Sequence, residues 1–306
     1  MTVIEEPQPF VPVKNHLGEG PHYEQSTGVL RWVDIIRKEI HTVNVVEGFK
    51  SHKVVQFEDP IGVTADIEGT DDEYIVGAKR GFAIVNKKTS DFKYIKKFWG
   101  DLAKEERAND GAVDSRGRFW VGTMNDFHMG KPQPEGVLFR LDPDLTLHEI
   151  LHGVSIPNGI GWSPDDKTMY FTDSPTRSIF AYDFDPETGS MSNKRVLWKL
   201  TDETGSVPDG LTVDAEGYLW IAIHEGSRVI RVSPEGKEVS QITMKAWKIT
   251  CPVFGGPDLD ELFITTAGAE DGDPHMPAGA GDHGSVFRVK TVAKGMPANR
   301  FILRAK

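Results

Sequence analysis

Residues 111–124, GAVDSRGRFWVGTM, read as a short strand, a turn rich in Asp, Ser and Gly, and a second strand with an aromatic residue, Trp120, near its middle. Five further stretches repeat that unit: HYEQSTGVLRWVDI (22–35), VTADIEGTDDEYIVG (63–77), IGWSPDDKTMYFTDS (160–174), LTVDAEGYLWIAI (211–223) and FGGPDLDELFITTAG (254–268). Their aromatic markers, Trp32, Tyr74, Trp120, Tyr170, Trp220 and Phe263, recur at intervals of roughly 40 to 50 residues, the length of a four-stranded propeller blade. Each marker is followed by another alternating strand, such as EIHTVNV (39–45) or GVLFRL (136–141), and most by a fourth, such as HKVVQF (52–57) or KRVLWKL (194–200). Four short strands, six times over, with hardly any helical pattern, predict an all-β, six-bladed propeller with four antiparallel strands per blade. An irregular sandwich would not need six matching turns. We expect one domain over 1–306, its last outer strand drawn from RFIL near the C-terminus or from FVPV near the N-terminus, the latter closing the ring.

The first strand of a blade lies nearest the axis, so the residue just before it is expected at the mouth of the central channel. Reading back eleven to thirteen residues from each marker gives Glu19, Ile61, Asn109, Asn158, Asp209 and Cys251. Four of these six positions carry a carboxylate or amide, and the repeat aims all four at one spot. Two carboxylates and two amides without a histidine form an oxygen-only cage for a hard divalent cation, Ca²⁺, Mg²⁺ or Mn²⁺. A turn-forming Asx before glycine explains one such position better than four. Two loops expected on the same face are long, 125–135 and 267–284, and read as a partial lid over a substrate pocket. They carry His128, His275 and His283, read as solvated loop residues.

Composition limits the function classes. With 306 residues, 38% hydrophobic and 26% charged, the chain can bury a large core. A net charge of −11 works against nucleic acid and anionic membranes. A single cysteine, Cys251, excludes an internal disulfide and a CxxC zinc site and suits a reducing compartment. The N-terminus carries no secretory pattern, so a cytoplasmic protein is expected. The glycines 279, 281 and 284 spell GxGxxG outside any βαβ context, and DFDPETG (183–189) lacks the closing glutamate of an EF-hand, so both read as turns or loops. No GxSxG, HExxH or P-loop occurs.

The stretches GEGP (18–21), RANDG (107–111) with GRFWVGTM, IPNGIGWSPDDKTMYFTDS (156–174) and VPDGLTVDAEGYLWIA (207–222) closely resemble the SMP-30/gluconolactonase/regucalcin family, in its order and over nearly the whole length. The resemblance implies a propeller with metal-dependent lactonase activity on sugar lactones, an ester hydrolase of class EC 3.1.1. It implies Glu19, Asn158 and Asp209 as metal ligands, and Arg107 and Asn109 as substrate contacts, with Asn109 near the metal. After GTM relatives place an acid that holds sugar hydroxyls; here the run is Asn125, Asp126, Phe127, and Asp126 is the displaced counterpart. The family also uses metals other than calcium, so Zn²⁺ and Fe²⁺ join the candidates. Asp209 is the expected general base. The rival readings are a phosphotriesterase or arylesterase, a non-catalytic calcium-binding protein, and a ring-forming enzyme on the same scaffold. The partner expected is a small sugar lactone, and the chain a monomer or weak homo-oligomer.

Overall fold

In the strand Phe119–Asn125, Phe119 and Val121 pack toward the preceding repeat, while Trp120 between them packs toward the following one. That alternation puts successive side chains on opposite faces of a sheet buried on both. It recurs around the molecule. In the computed structural model, which describes residues 2–100, 105–202, 204–270, 273 and 275–304, the strands form six sheets. The buried apolar side chains fall into six clusters, one at each junction between neighbouring sheets, including that between the last and the first. The core is therefore a closed circle of six interfaces, the radial arrangement of a six-bladed propeller. All six aromatic markers are at most 6% exposed, each on the second strand of its blade. The described residues contain no α-helix, only short 3₁₀ turns. None is long and apolar enough to cross a membrane.

Closure comes from the N-terminus. Pro9–Val11 pairs antiparallel with Val286–Lys290 and supplies the outer strand of blade six, the second of the two expected sources. The RFIL segment has another use: Phe301, fully buried, bridges to Ile67 and fills the junction of blades two and three. Thr2–Glu5 adds a fifth strand, parallel, to blade five. The stretch 183–189 forms a hairpin turn, with Gly189 N–H donating to the Asp185 carbonyl, as read from sequence.

The inner strands are Gly18–Glu24, Ile61–Asp66, Glu106–Val113, Pro157–Trp162, Val207–Val213 and Ile249–Gly255. The mouth residues lie inside these strands, near their starts, rather than before them. Every inner strand has a register irregularity against its second strand at that point. An extra residue in one strand re-aims side chains and sharpens the twist, which lets the mouth residue turn toward the axis. Crowding there is severe. A Cβ on Gly62 would collide with the carbonyl oxygens of Ala108 and Asn109, and one on Gly210 would lie 2.6 Å from Cys251 Cβ. Beneath the mouths lies a partly open cavity of about 370 Å³, lined among others by Asp110, Thr64, Thr212 and residues 296–299.

Five residues beyond each mouth stands a second set: Glu24, Asp66, Asp114, Ser163, Asp214 and Gly256. Here the carboxylates are structural. Asp114 Oδ1 accepts from Arg116 N and Arg118 N, and its Oδ2 from Trp120 Nε1 at 2.8 Å and Arg118 Nε at 2.6 Å. Asp214 does the same for its own turn, Trp220 and Arg231. Asp66 accepts from Arg31 at 3.0 Å and faces His22 at 3.0 Å. Burial alone would raise its pKa, yet His22 and Arg31 together hold it well below the carboxylate range. In blade one Asn15 takes over the tryptophan contact, accepting from Trp32 Nε1.

Trp32 also stacks on His41, ring centroids 5.0 Å apart. His41 Nδ1 meets His52 Nε2 at 3.0 Å, and its Nε2 meets Glu39 at 3.1 Å. Burial pulls the His41 imidazole down to about 4, Asp34 opposing and Arg37 assisting.

Two outcomes follow. Gly62→Ala forces backbone apart at the axis and should lower the unfolding free energy by about 1–3 kcal/mol, the usual range for overpacking; a urea midpoint equal to wild type would contradict the crowding. As pH falls from 6.5 toward 4, the unfolded chain protonates His41 before the folded one does. Stability should therefore drop across that window, by at most about 3 kcal/mol. His41→Phe keeps the stack without the titration, so calorimetric melting points from pH 7 to 4.5 should decline less steeply; equal slopes would assign the acid sensitivity elsewhere.

Candidate metal and substrate site

Each expected ligand sits at a mouth whose approach is tied down by a carboxylate. Asp34 accepts from His16 N at 2.6 Å and Leu17 N at 3.2 Å, fixing the chain just before Glu19. Asp173 accepts from Ile156 N at 2.9 Å and Ser155 N at 3.2 Å just before Asn158. Ahead of Asp209, Asp202 gathers Arg177, Arg228, Thr204 and Ser206. The three entries are thus rigid where the inner strands begin.

At the axis the structure brings together all the residues expected there. Glu19, Asn109, Asn158 and Asp209 are each no more than 7% exposed. Asn109 Nδ2 donates to Asn158 Oδ1 at 3.1 Å and to the Pro157 carbonyl at 2.9 Å. Asn158 Nδ2 donates to Ser174 Oγ at 2.9 Å. Arg107, 1% exposed, donates through Nη1 to Asn109 Oδ1 at 2.8 Å and to the Ala108 carbonyl at 3.0 Å. Its Nε faces Asp126 Oδ2 at 3.4 Å, which draws the displaced acid of the long loop to the site. The remaining mouths are filled by buried Ile61 and Cys251.

Electrostatically the mouth holds buried acids whose surroundings push them toward their protonated forms. Burial lifts Glu19 to about 8, with the charge of Asp110 adding and Gly20 N–H, Asp209 and Arg107 opposing. Burial also lifts Asp110 to about 6. Asp209 is raised well above its ordinary value, first by burial and then by Glu19 and Asp110. Burial, then the same three carboxylates, pushes the Cys251 thiol up, so it stays protonated and is no nucleophile. Burial lowers the Arg107 guanidinium, while Asp126 and Glu19 oppose that.

Asp110 and Ser174 are additions to the residues read from sequence. A regular strand would turn Asp110 away from a channel that Asn109 faces, and the irregularity between Ala108 and Gly111 removes that rule. Ser174 belongs to a 3₁₀ turn after the second strand of blade four, and no sequence spacing ties it to Asn158.

The oxygens present suit a hard cation. Asp209 Oδ1 is buried with no hydrogen-bond partner among the described residues, whereas the equally buried Asp114 and Asp214 have every oxygen engaged. A buried carboxylate oxygen without a donor is expensive unless a cation faces it. Among the described residues no three His, Cys, Asp or Glu side chains gather as a ligand group. The amide oxygen of Asn158 is a donor type that would suit Ca²⁺ or Mg²⁺ alongside carboxylates.

Of the loop histidines, His128 lies 3.6 Å from Asp126 and 3.9 Å from Glu105. His283 Nδ1 accepts from Trp247 N at 3.4 Å, so it anchors its loop, a role beyond the solvated one expected. His275 sits on the exposed part of the 267–284 loop, of which 271, 272 and 274 lie outside the described residues. The GxGxxG run is loop, with Gly281 N–H on the Lys245 carbonyl.

Comparison with known proteins shows the family. The pentonolactonase XacC of Haloferax volcanii is 34% identical over 94% of this chain and 95% of its own length. The putative sugar lactone lactonase YvrE of Bacillus subtilis is 36% identical over 82% of this chain and 83% of its own. Regucalcin of Xenopus laevis is likewise 36% identical, over 82% and 83%. A solved structure of a luciferin-regenerating enzyme superposes with a TM-score of 0.87 at 30% identity, covering 95% of this chain and 96% of the other. Residues 17–268 match the SMP-30/gluconolactonase/LRE-like region, and the chain belongs to that family.

Proposed function

We propose that this protein is a divalent-cation-dependent lactonase that hydrolyses a sugar lactone to the corresponding aldonic acid. One observation carries the reading: a buried Asp209 oxygen that meets no hydrogen-bond partner among the described residues, on a carboxylate close enough to Glu19 to feel its charge. The names of relatives such as YvrE and XacC supply the substrate class. Glu19, Asn158 and Asp209 would hold the ion, with Ca²⁺ the favoured occupant for an all-oxygen set. The chemistry supplied by a bound cation is stabilisation of the negative charge that grows on the lactone carbonyl oxygen.

The chain's own groups do the rest. Arg107 Nη2 is buried with no partner among the described residues, a donor placed to take a sugar hydroxyl. Asp126, on the loop over the mouth, pairs with Arg107 and adds an acceptor on the same side. Asp209, through whichever carboxylate oxygen is not turned to the ion, would receive the proton of the attacking water. Ring opening of the ester consumes one water and gives a carboxylate and a hydroxyl. No covalent intermediate is needed, and the protonated Cys251 offers none.

A pH-drop assay on the metal-stripped protein, with γ- and δ-aldonolactones and an organophosphate as alternatives, tests the reading. Lactone hydrolysis should appear on restoring a divalent ion and vanish with chelator. Asp209→Ala should lower kcat/KM by at least about 10²–10⁴-fold, the usual contribution of a positioned base. Near-normal turnover by that variant would remove Asp209 from the chemistry. Cation uptake with no lactone turned over would favour instead a binding protein, as the name of the relative regucalcin invites.

A further inference from the structure

The amide ends of Asn109 and Asn158 differ in chemistry but hardly in shape, so their partners must fix which end faces which neighbour. Two of those partners are one-way groups. Arg107 can only donate, and its Nη1 lies 2.8 Å from Asn109 Oδ1; the Pro157 carbonyl can only accept, and it lies 2.9 Å from Asn109 Nδ2. Together they leave Asn109 a single orientation. The same Nδ2 then faces Asn158 at 3.1 Å, where only an oxygen can accept. That places Asn158 Oδ1 on the side of the channel and turns its Nδ2 outward to Ser174 Oγ at 2.9 Å. A carbonyl-type oxygen has two lone pairs, so one stays available for a cation.

We propose that Arg107 is a positioning residue for the cation site: through Asn109 it sets the amide polarity that presents the oxygen of Asn158, with Ser174 holding the far end. Asp126 anchors the guanidinium at 3.4 Å, so the chain of contacts runs unbroken from the loop over the mouth to a metal ligand. The inference rests on the reading that Glu19, Asn158 and Asp209 hold a cation. It makes a prediction opposite in sign to simple electrostatics. Arg107 is a buried positive charge beside a cation site, so Coulomb repulsion alone says that removing it should tighten cation binding. Loss of the polarity set by Arg107 says that binding should weaken.

Calorimetric titration of the metal-stripped full chain with Ca²⁺ decides between them. Arg107→Met should raise Kd about 10- to 100-fold, the range found when groups that orient a ligand are removed. Arg107→Lys, which keeps a donor-only charge, should recover most of that loss. Ser174→Ala, neutral in charge, should weaken binding by about 10-fold while leaving the unfolding midpoint of the stripped protein near wild type. Unchanged or tighter binding by Arg107→Met overturns the proposal. If that variant does not fold, Ser174→Ala decides alone, and wild-type affinity there overturns it equally. A wild-type chain that binds no divalent ion would instead defeat the cation reading, and this inference with it.

Discussion

Six inner strands must meet around one axis, and the space there is smaller than six ordinary side chains per layer require. Gly62 and Gly210 are the local solution: at each, a single added carbon would strike the next blade, so the backbones touch directly. Everything at the mouth follows from that closeness. Glu19, Asn109, Asn158 and Asp209 come from four separate blades, with about 190 residues of chain between first and last, yet they converge on one mouth because apolar clusters at the six junctions pack the blades into a ring. The site is therefore as rigid as the ring, and the pairing of Pro9–Val11 with the last blade is what keeps the ring shut.

The inner strands carry two kinds of buried acid, and their surroundings separate structure from function. Asp114 and Asp214, at the lower end, are surrounded by backbone N–H, indole and guanidinium donors, so their charge is fully used in holding a turn and a tryptophan. Five residues earlier in the last of these strands, Asp209 has an oxygen that meets no hydrogen-bond partner among the described residues. The same residue type in the same strand thus serves two ends, because one end meets a hairpin turn rich in donors and the other meets the convergent mouths of neighbouring blades. Buried carboxylates left unpaired are unfavourable in a finished core.

The repeat was readable because it depends on local chemistry: period-two strands, Asp/Gly turns and one aromatic per blade each leave a mark in the sequence. Four of the mouth residues followed from it, since equal steps back from equal markers reach equivalent positions. Asp110 did not. Its placement depends on the register irregularity of strand Glu106–Val113, and alternation gives the wrong face wherever a strand slips its register. Ser174 was hidden for a different reason, because a hydrogen bond between a turn and the preceding inner strand has no periodic signature. The two N-terminal strands were partly visible: the closing segment stood as one of two choices, while the parallel addition of Thr2–Glu5 to blade five follows no repeat rule.

Charge balance gives the last step. Burial and neighbouring acids hold Glu19 and Asp209 toward their protonated forms, with Asp110 adding to both, and the Arg107 guanidinium opposes this at Glu19. Were all three to ionise, one guanidinium would leave two negative charges, a deficit that a divalent ion would fill. A monovalent ion would leave one charge uncompensated, and a second arginine could not fit where a methyl group already collides. The crowding that forces glycine at the axis and the excess of buried acid are thus two sides of one arrangement, one that would suit a small, doubly charged occupant met by hard oxygen donors.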